Sequence, residues 1–454
     1  MPCCSNVSVS RVDLNVRETC TYVNTSETVC RTPVRSPITG SSCLAGAGEI
    51  RDKGSGRLRV ATAALAAFVA VGASTPVSGQ TGNPDSTAAQ SSLSPTIGLT
   101  VGWDDNVFRV NKADKPIGDF TTTISPAVQA SRLVSRVRVS GRGQVDFINF
   151  RKVSQINSID FLGAARVELP LGRLTPYFAG DWANTRHRRN FEIDLPVKRL
   201  DSSWSAGVDL RLSGKTSVGV MRRRTRVDYK GDTIYLGTDL ADYLGATAAI
   251  NGVQFRYSLT PFTTVGADVE QDRTEFKIAT QRDSDGFLVA SVIEFRPLAL
   301  VSGRARLGIR RRTFVDGNAP PIRTVVTRFD LAYTLLGRTR FAVVGQRDLS
   351  YSYRADQLDY LPTGIELAVS HRVANAWEVG GALGRFRLNY GLGLPSGPLT
   401  SRSERGLTYR LGVGYHIERT NVRFEVSRET RTSDFSVDRD YEAMRIFSSV
   451  SYAF

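Results

Sequence analysis

The stretch RGLTYRLGVGYHI, Arg405–Ile417, carries the period that decides the fold. Leu407, Tyr409, Leu411, Val413, Tyr415 and Ile417 fall on one side of it; Thr408, Arg410, Gly412, Gly414 and His416 fall on the other. A period of two is that of a β-strand, whose successive side chains point to opposite faces. VSGRARLGIRRRT repeats the pattern, setting Val301, Gly303, Ala305, Leu307 and Ile309 against Arg304, Arg306, Gly308, Arg310 and Arg312. SSWSAGVDLRL does so again, with Trp204, Ala206, Val208, Leu210 and Leu212 on one side. Alternation alone fits a soluble sandwich equally well, because an apolar face can be a core.

Strand length and loop asymmetry separate the two. The alternating segments run to about twice the usual five or six residues, near the nine to eleven that cross a bilayer at a tilt. Tight links such as RLVSR, LSGKT, SLTPF, LLGRT and HIERT alternate with longer polar ones such as RHRRNFEIDLPVKRLD, VDGNAPPIR and GLGLPSGPLTSRS. Short turns at one end and long loops at the other are the pattern of an outer-membrane barrel, with the short end periplasmic. Eighteen candidate strands run from 96–108 to 441–454. The expected fold is therefore all-β, a transmembrane antiparallel up-and-down barrel. Segment 240–259 leaves sixteen strands open, because Asn251-Gly252 is also a hairpin-turn pair.

The N-terminal part differs. All five cysteines, Cys3, Cys4, Cys20, Cys30 and Cys43, precede the alternating region, and a cysteine-free body suits an oxidising compartment. In GRLRVATAALAAFVAVGASTPVSGQ, Arg57 and Arg59 precede an apolar run from Val60 to Ala73 and small residues before Gln80, the layout of a secretory signal. The expected organisation is residues 1–50 as an extension absent from the mature protein, 51–79 as signal peptide, 80–94 as linker and 95–454 as barrel. No run of eighteen apolar residues suggests a membrane helix.

The chain ends SSVSYAF, and Met444, Ile446, Val450, Tyr452 and Phe454 share one face. A closed barrel pairs its last strand with its first and leaves no open edge in lipid. A terminal aromatic then sits in the interfacial girdle. Val450, Tyr452 and Phe454 form the candidate signal for the barrel-insertion machinery.

Two motifs carry a family resemblance. VGWDDNVFR (Val101–Arg109) and RDYEAMRIFSSVSYAF (Arg439–Phe454) resemble the ends of the beta-barrel porins found beside exopolysaccharide-synthesis genes in Gram-negative bacteria. Met444 departs from the polar residue more usual there. The resemblance implies a bacterial outer-membrane channel or export partner for surface polysaccharide.

The net charge of +15, mostly arginine, points to anionic partners. The candidate lumen arginines are Arg136, Arg138, Arg142, Arg304, Arg306, Arg310 and Arg312, with MRRRTR (221–226) adding charge near the outer mouth. Rings of arginine in a wet pore favour anions. The alternative is that they pair with Asp146, Glu168, Asp209, Asp268 and Glu270 and brace the wall. Expected partners are outer-membrane lipid and lipopolysaccharide, the insertion machinery, and acidic polysaccharide or small anions, but no nucleic acid.

No cofactor, metal or catalytic residue is expected. His187, His371 and His416 are scattered, and no Gly-x-Ser-x-Gly, Walker loop or His-Glu-x-x-His occurs. Asp104, Asp105 and Asn106 lack calcium-loop spacing. The four tryptophans, Trp103, Trp182, Trp204 and Trp377, suit girdle anchoring. The rival function is a non-conducting barrel whose outer loops bind lipopolysaccharide or matrix polymer.

Overall fold

The computed structural model describes residues 92–454 except 189, 231–232, 297–299, 318, 355–356, 374–375, 392–401 and 435–438. The expected extension and signal peptide, and the linker up to residue 91, lie outside the described residues. The first strand starts at Ser92, so residues 92–94 are already part of the wall.

The barrel opens with β1 (Ser92–Asp104), β2 (Asp119–Val134), β3 (Val137–Phe150), β4 (Ser158–Glu168), β5 (Leu174–His187), β6 (Val197–Arg211) and β7 (Thr216–Tyr229). A two-stranded piece, β8 (Ile234–Tyr235) with β9 (Thr238–Asp239), and helix α1 (Leu240–Leu244) fill the next loop. The wall resumes with β10 (Ala246–Thr260), β11 (Thr263–Phe276), β12 (Ser284–Phe295), β13 (Val301–Phe314), β14 (Ile322–Leu335) and β15 (Thr339–Arg347). The short β16 (Ser350–Tyr351) precedes β17 (Asp359–Arg372), β18 (Trp377–Tyr390), β19 (Ser403–Ile417), β20 (Thr420–Ser433) and β21 (Tyr441–Ala453).

Each long strand pairs antiparallel with its chain neighbours, and β1 pairs with β21 from Thr96↔Ala453 to Asp104↔Arg445. Eighteen long strands therefore form one closed wall. Segment 240–259 resolves into α1 followed by a single strand. Asn251 and Gly252 lie inside β10, each paired on both sides, so the sixteen-strand alternative falls away.

The inward face is identified by contacts that skip a strand. Arg304 and Arg306 of β13 reach Asp268 of β11, and Arg410 of β19 reaches Glu366 of β17, as side chains on a concave wall do. Residues of the other parity, including Leu99, Phe178, Val253, Leu307, Leu411 and Phe424, are large, apolar and exposed. This greasy exterior is the surface a lipid-embedded barrel presents.

The connections divide as expected. Ser135-Arg136, Pro261-Phe262 and Glu418-Arg419 each link two strands at the inner end. At the Leu336–Arg338 turn, Gly337 takes φ +68°, a left-handed conformation glycine adopts without steric cost. Buried apolar clusters sit at the opposite, outer end. The largest joins Ile193, Val197, Tyr229, Tyr235, Leu240 and Tyr353, drawn from three loops and the strand ends beside them.

The two resembling motifs meet at the closing seam. The Asp105 amide donates to the Met444 carbonyl at 3.1 Å, and the Met444 amide returns a bond to the Asp105 carboxylate at 2.7 Å. Asn106, 1% exposed, donates to the Glu442 carbonyl at 3.0 Å. Asp104 is held by Arg109 at 2.8 Å. The acidic run thus acts as a clasp between β1 and β21. At the seam's foot, the Phe454 amide donates to the Pro95 carbonyl, and Tyr452 meets Phe454 edge-on at 5.0 Å.

Candidate functional site

The lumen wall carries paired charge. Asp268, 1% exposed, accepts Arg256 at 2.7 Å and lies 3.4 and 3.3 Å from Arg304 and Arg306. Higher up, Arg306 meets Glu270 at 2.7 Å, and Arg310 meets Asp272 and Asp348, each at 2.9 Å. Arg312 lies over the Tyr351 ring, 4.0 Å from Asp359. Arg304, Arg306, Arg310 and Arg312 of VSGRARLGIRRRT thus form one side of a ladder whose other side is carboxylate. The sequence placed these arginines inward; which acids answer them is set by register between β11 and β13, which a single strand does not disclose.

The other candidates differ among themselves. Arg138 pairs with Glu168 at 3.2 Å. Arg142 shares its face and has no ion-pair or hydrogen-bond partner among the described residues. Arg136 does not line the lumen. It sits exposed in the inner two-residue turn, because β3 begins one residue later. In MRRRTR only Arg223 faces inward. Arg222, Arg224 and Arg226 share the outward face with Val220, since the strand period sends alternate arginines to opposite sides.

Towards the inner end a recess of about 510 Å³ is lined by Arg340, Arg372, Arg410, Arg423, Glu378 and Glu425, among others. Among the described residues neither Arg340 nor Arg372 makes an ion pair, although Arg372 stands opposite Glu378 in the β17–β18 register. This recess carries more basic than acidic lining, unlike the balanced ladder on β11 and β13.

The outer mouth is spanned. The link between β5 and β6 leaves its own wall and packs against β17 to β21, on the far side of the ring. Phe191 stacks on Phe386 of β18 at 3.7 Å. Room for that ring comes from Gly406, where a Cβ would lie 2.2 Å from it. Arg188 reaches Glu429 at 2.5 Å, and Arg431 donates to the Phe191 carbonyl at 2.6 Å. Arg431 also pairs with Asp194 and Glu404. Arg439 joins the same two carboxylates, at 3.1 and 2.9 Å, and donates to the Glu192 carbonyl at 2.5 Å.

Glu192 is fully buried and accepts the Ser352 hydroxyl at 2.6 Å. Burial pushes its carboxyl up to about 7, against the pull of that hydroxyl and of Arg439 and Arg282. Arg282, also fully buried, donates to the Gln357 carbonyl at 3.3 Å and to the carbonyls of Ser352 and Arg354, fixing the loop that carries Ser352. The network is dense but not complete: Glu192 Oε2, Arg282 Nε and Arg431 Nε are buried without a hydrogen-bond partner, and its many charge-assisted bonds still favour one arrangement of the segment. The sequence held one sign of it: RHRRNFEIDLPVKR mixes Phe191, Ile193 and Leu195 with charge, an unusual composition for a loop facing water.

A family model described as "Putative beta-barrel porin 2" matches residues 92–454. The chain belongs to this porin family. The porin is an outer-membrane β-barrel, as its sequence resemblance implied. No curated protein matches its sequence. Solved structures similar to the porin include Pseudomonas aeruginosa OpdK with vanillate, at 9% identity and TM-score 0.45, covering 80% of this chain and 99% of that one. Acinetobacter baumannii OccAB4 is similar at 9% identity and TM-score 0.45, covering 82% and 100%. Pseudomonas aeruginosa OccK3 is similar at 13% identity and TM-score 0.45, covering 80% and 96%.

The porin's histidines are apart. His187 lies at the outer end, 3.9 Å from Asp160; His371 meets the Thr339 hydroxyl at 2.8 Å on the exterior; His416 lines the inner recess. Among the described residues no three His, Cys, Asp or Glu side chains gather as metal ligands.

Proposed function

We propose that this porin is a loop-gated channel for anionic, hydroxyl-rich solutes, with acidic surface polysaccharide as the largest of them. The observation that carries the reading is the inner recess, where Arg340 makes no ion pair and Arg372, opposite Glu378 in register, makes none within 4 Å, beside a wall of matched charge on β11 and β13. Unpaired guanidinium groups in a wet lumen set a positive potential and offer paired donors to carboxylate or sulfate. The ladder of Arg306, Glu270, Arg310 and Asp272 supplies alternating donors and acceptors suited to sugar hydroxyls. The polysaccharide assignment rests on the sequence resemblance.

Reversal potentials in a salt gradient, with block by oligosaccharides added from the inner side, test it. Anion selectivity is expected, with stronger block by acidic than by neutral oligosaccharide and a loss of that difference in Arg340→Gln/Arg372→Gln. Cation selectivity, or equal block by both sugars, overturns the assignment.

One observation favours a second reading. The segment across the outer mouth would also suit a barrel that conducts nothing and works through its loops. That reading expects silence in bilayers even after the segment is removed.

A further inference from the structure

Part of the excess positive charge of this chain lies outside its lumen. On the exterior, Arg387 of β18 stands directly opposite Arg405 of β19, and Arg311 of β13 directly opposite Arg323 of β14. All four are exposed, and none has a hydrogen-bond or ion-pair partner among the described residues. Directly opposed like charges on a sheet are destabilising, so each pair is a local defect unless something anionic sits between its members. On the inward face of the same strand, by contrast, Arg306, which stands opposite Arg328, has a carboxylate to neutralise it, Glu270 at 2.7 Å.

Both pairs occupy one height. Arg387 stands ten residues along β18 from Trp377, and Arg311 ten along β13 from Val301. At a strand rise of about 3.3 Å and the usual barrel tilt this is about 25 Å above the inner rim, the height of the apolar band. Below them the exterior is greasy: Trp377, Val379 and Leu383 under one pair, Leu307 and Ile309 under the other. The pairs therefore lie at the outer-leaflet headgroups. Arg222 and Arg224 of β7, also exposed and unpartnered, extend the arc. At the outer ends of β1 to β4 the exterior instead carries Trp103, Phe120, Phe147 and Ile159.

We infer that the Arg387–Arg405 and Arg311–Arg323 pairs are phosphate clamps for lipopolysaccharide, each holding one phosphate of the lipid A headgroup between two guanidinium groups. Planar guanidinium donors match phosphate oxygens two at a time, and partial burial under headgroups strengthens the bonds. Half of the barrel rim is thereby tethered to the outer leaflet, while the β1–β4 side is left to apolar and aromatic contacts.

The test titrates the purified full-length protein in detergent with diphosphoryl lipid A, monophosphoryl lipid A and a phosphate-free glycolipid, counting bound lipid by native mass spectrometry. Wild type is expected to prefer them in that order. Arg387→Gln/Arg405→Gln should lose about tenfold in affinity for diphosphoryl lipid A, the loss of one charge-assisted contact, while its binding of phosphate-free lipid stays put. Equal binding of all three lipids by wild type, or an unchanged affinity in the variant, overturns the proposal. A separate arm guards against a folding artefact: in lipid-free detergent, Arg387→Gln should leave Tm unchanged or raise it, because it relieves like-charge repulsion. A lowered Tm there means the pair serves packing and sinks the clamp. Inorganic phosphate at matched concentration should leave Tm unmoved; stabilisation by it equal to that of lipid A would refute the assignment to lipid.

Discussion

Replacing Arg431 by methionine should free the segment across the mouth while leaving the wall intact. The Arg431 side chain is 0% exposed and contributes two ion pairs plus the bond to the Phe191 carbonyl. Removing one partner of a buried pair outright costs about 3–5 kcal/mol. Here Arg439 still faces Glu404 at 2.9 Å and Asp194 at 3.1 Å, so the carboxylates are not orphaned. A cost of about 2–3 kcal/mol follows, which raises the opening equilibrium of the segment about 30- to 150-fold. Hydrogen exchange reads this directly. The Ile193 amide, bonded to the Asn190 side chain at 2.7 Å, should lose protection by that factor, and wall amides such as those of β10 and β11 should not change. Unchanged exchange at residues 190–196 would refute the tether. Equal loosening of the wall would show that Arg431 supports the barrel, not the gate.

Three further outcomes follow from the same geometry. With its carboxyl pushed up to about 7 by burial, Glu192 favours its protonated form in the closed segment, so its stabilisation is complete below the ordinary 4.5 and lost as pH rises through 7; opening should increase between pH 5 and pH 8, and Glu192→Gln should flatten that dependence, while a pH-independent wild type argues against it. Gly406→Ala drives a methyl group into the Phe386 ring beneath Phe191, and overpacking of this kind costs about 1–3 kcal/mol; faster exchange of the segment is expected, and a neutral result means the ring has room elsewhere. Asp268→Asn removes the shared partner of Arg256, Arg304 and Arg306 and should move the reversal potential towards anion selectivity, whereas a shift towards cations contradicts the ladder.

The wall was legible because period two survives in most long strands, β12 with Leu288, Ala290 and Val292 on its inward face being an exception: Leu407 to Ile417 alone states which side meets lipid, and the register agrees with it. Closure was legible in the terminal aromatic, now found beside Pro95. The inward arginines of β13 were legible for the same reason. Arg136 was misplaced because periodicity cannot say where a strand yields to a turn, and Arg222 because three arginines in a row, Arg222 to Arg224, hide the alternation they obey. The clasp made by Asp104, Asp105 and Asn106 read as a polar loop, since its partner lies on the last strand. Least visible was the gate. Glu192 and Asp194 come from the β5–β6 link, Glu404 and Arg431 from the outer ends of β19 and β20, and Arg439 from just before β21, and only the curvature of a closed ring brings them within bonding distance.

Single-channel recording of the porin beside a variant in which residues 190–194 are replaced by a Gly-Ser linker tests the central claim most directly. A wet lumen closed by the crossing segment predicts low or intermittent conductance in wild type and a larger, steady conductance in the variant. Identical conductance in both would remove the gate, and silence in both would contradict the channel itself.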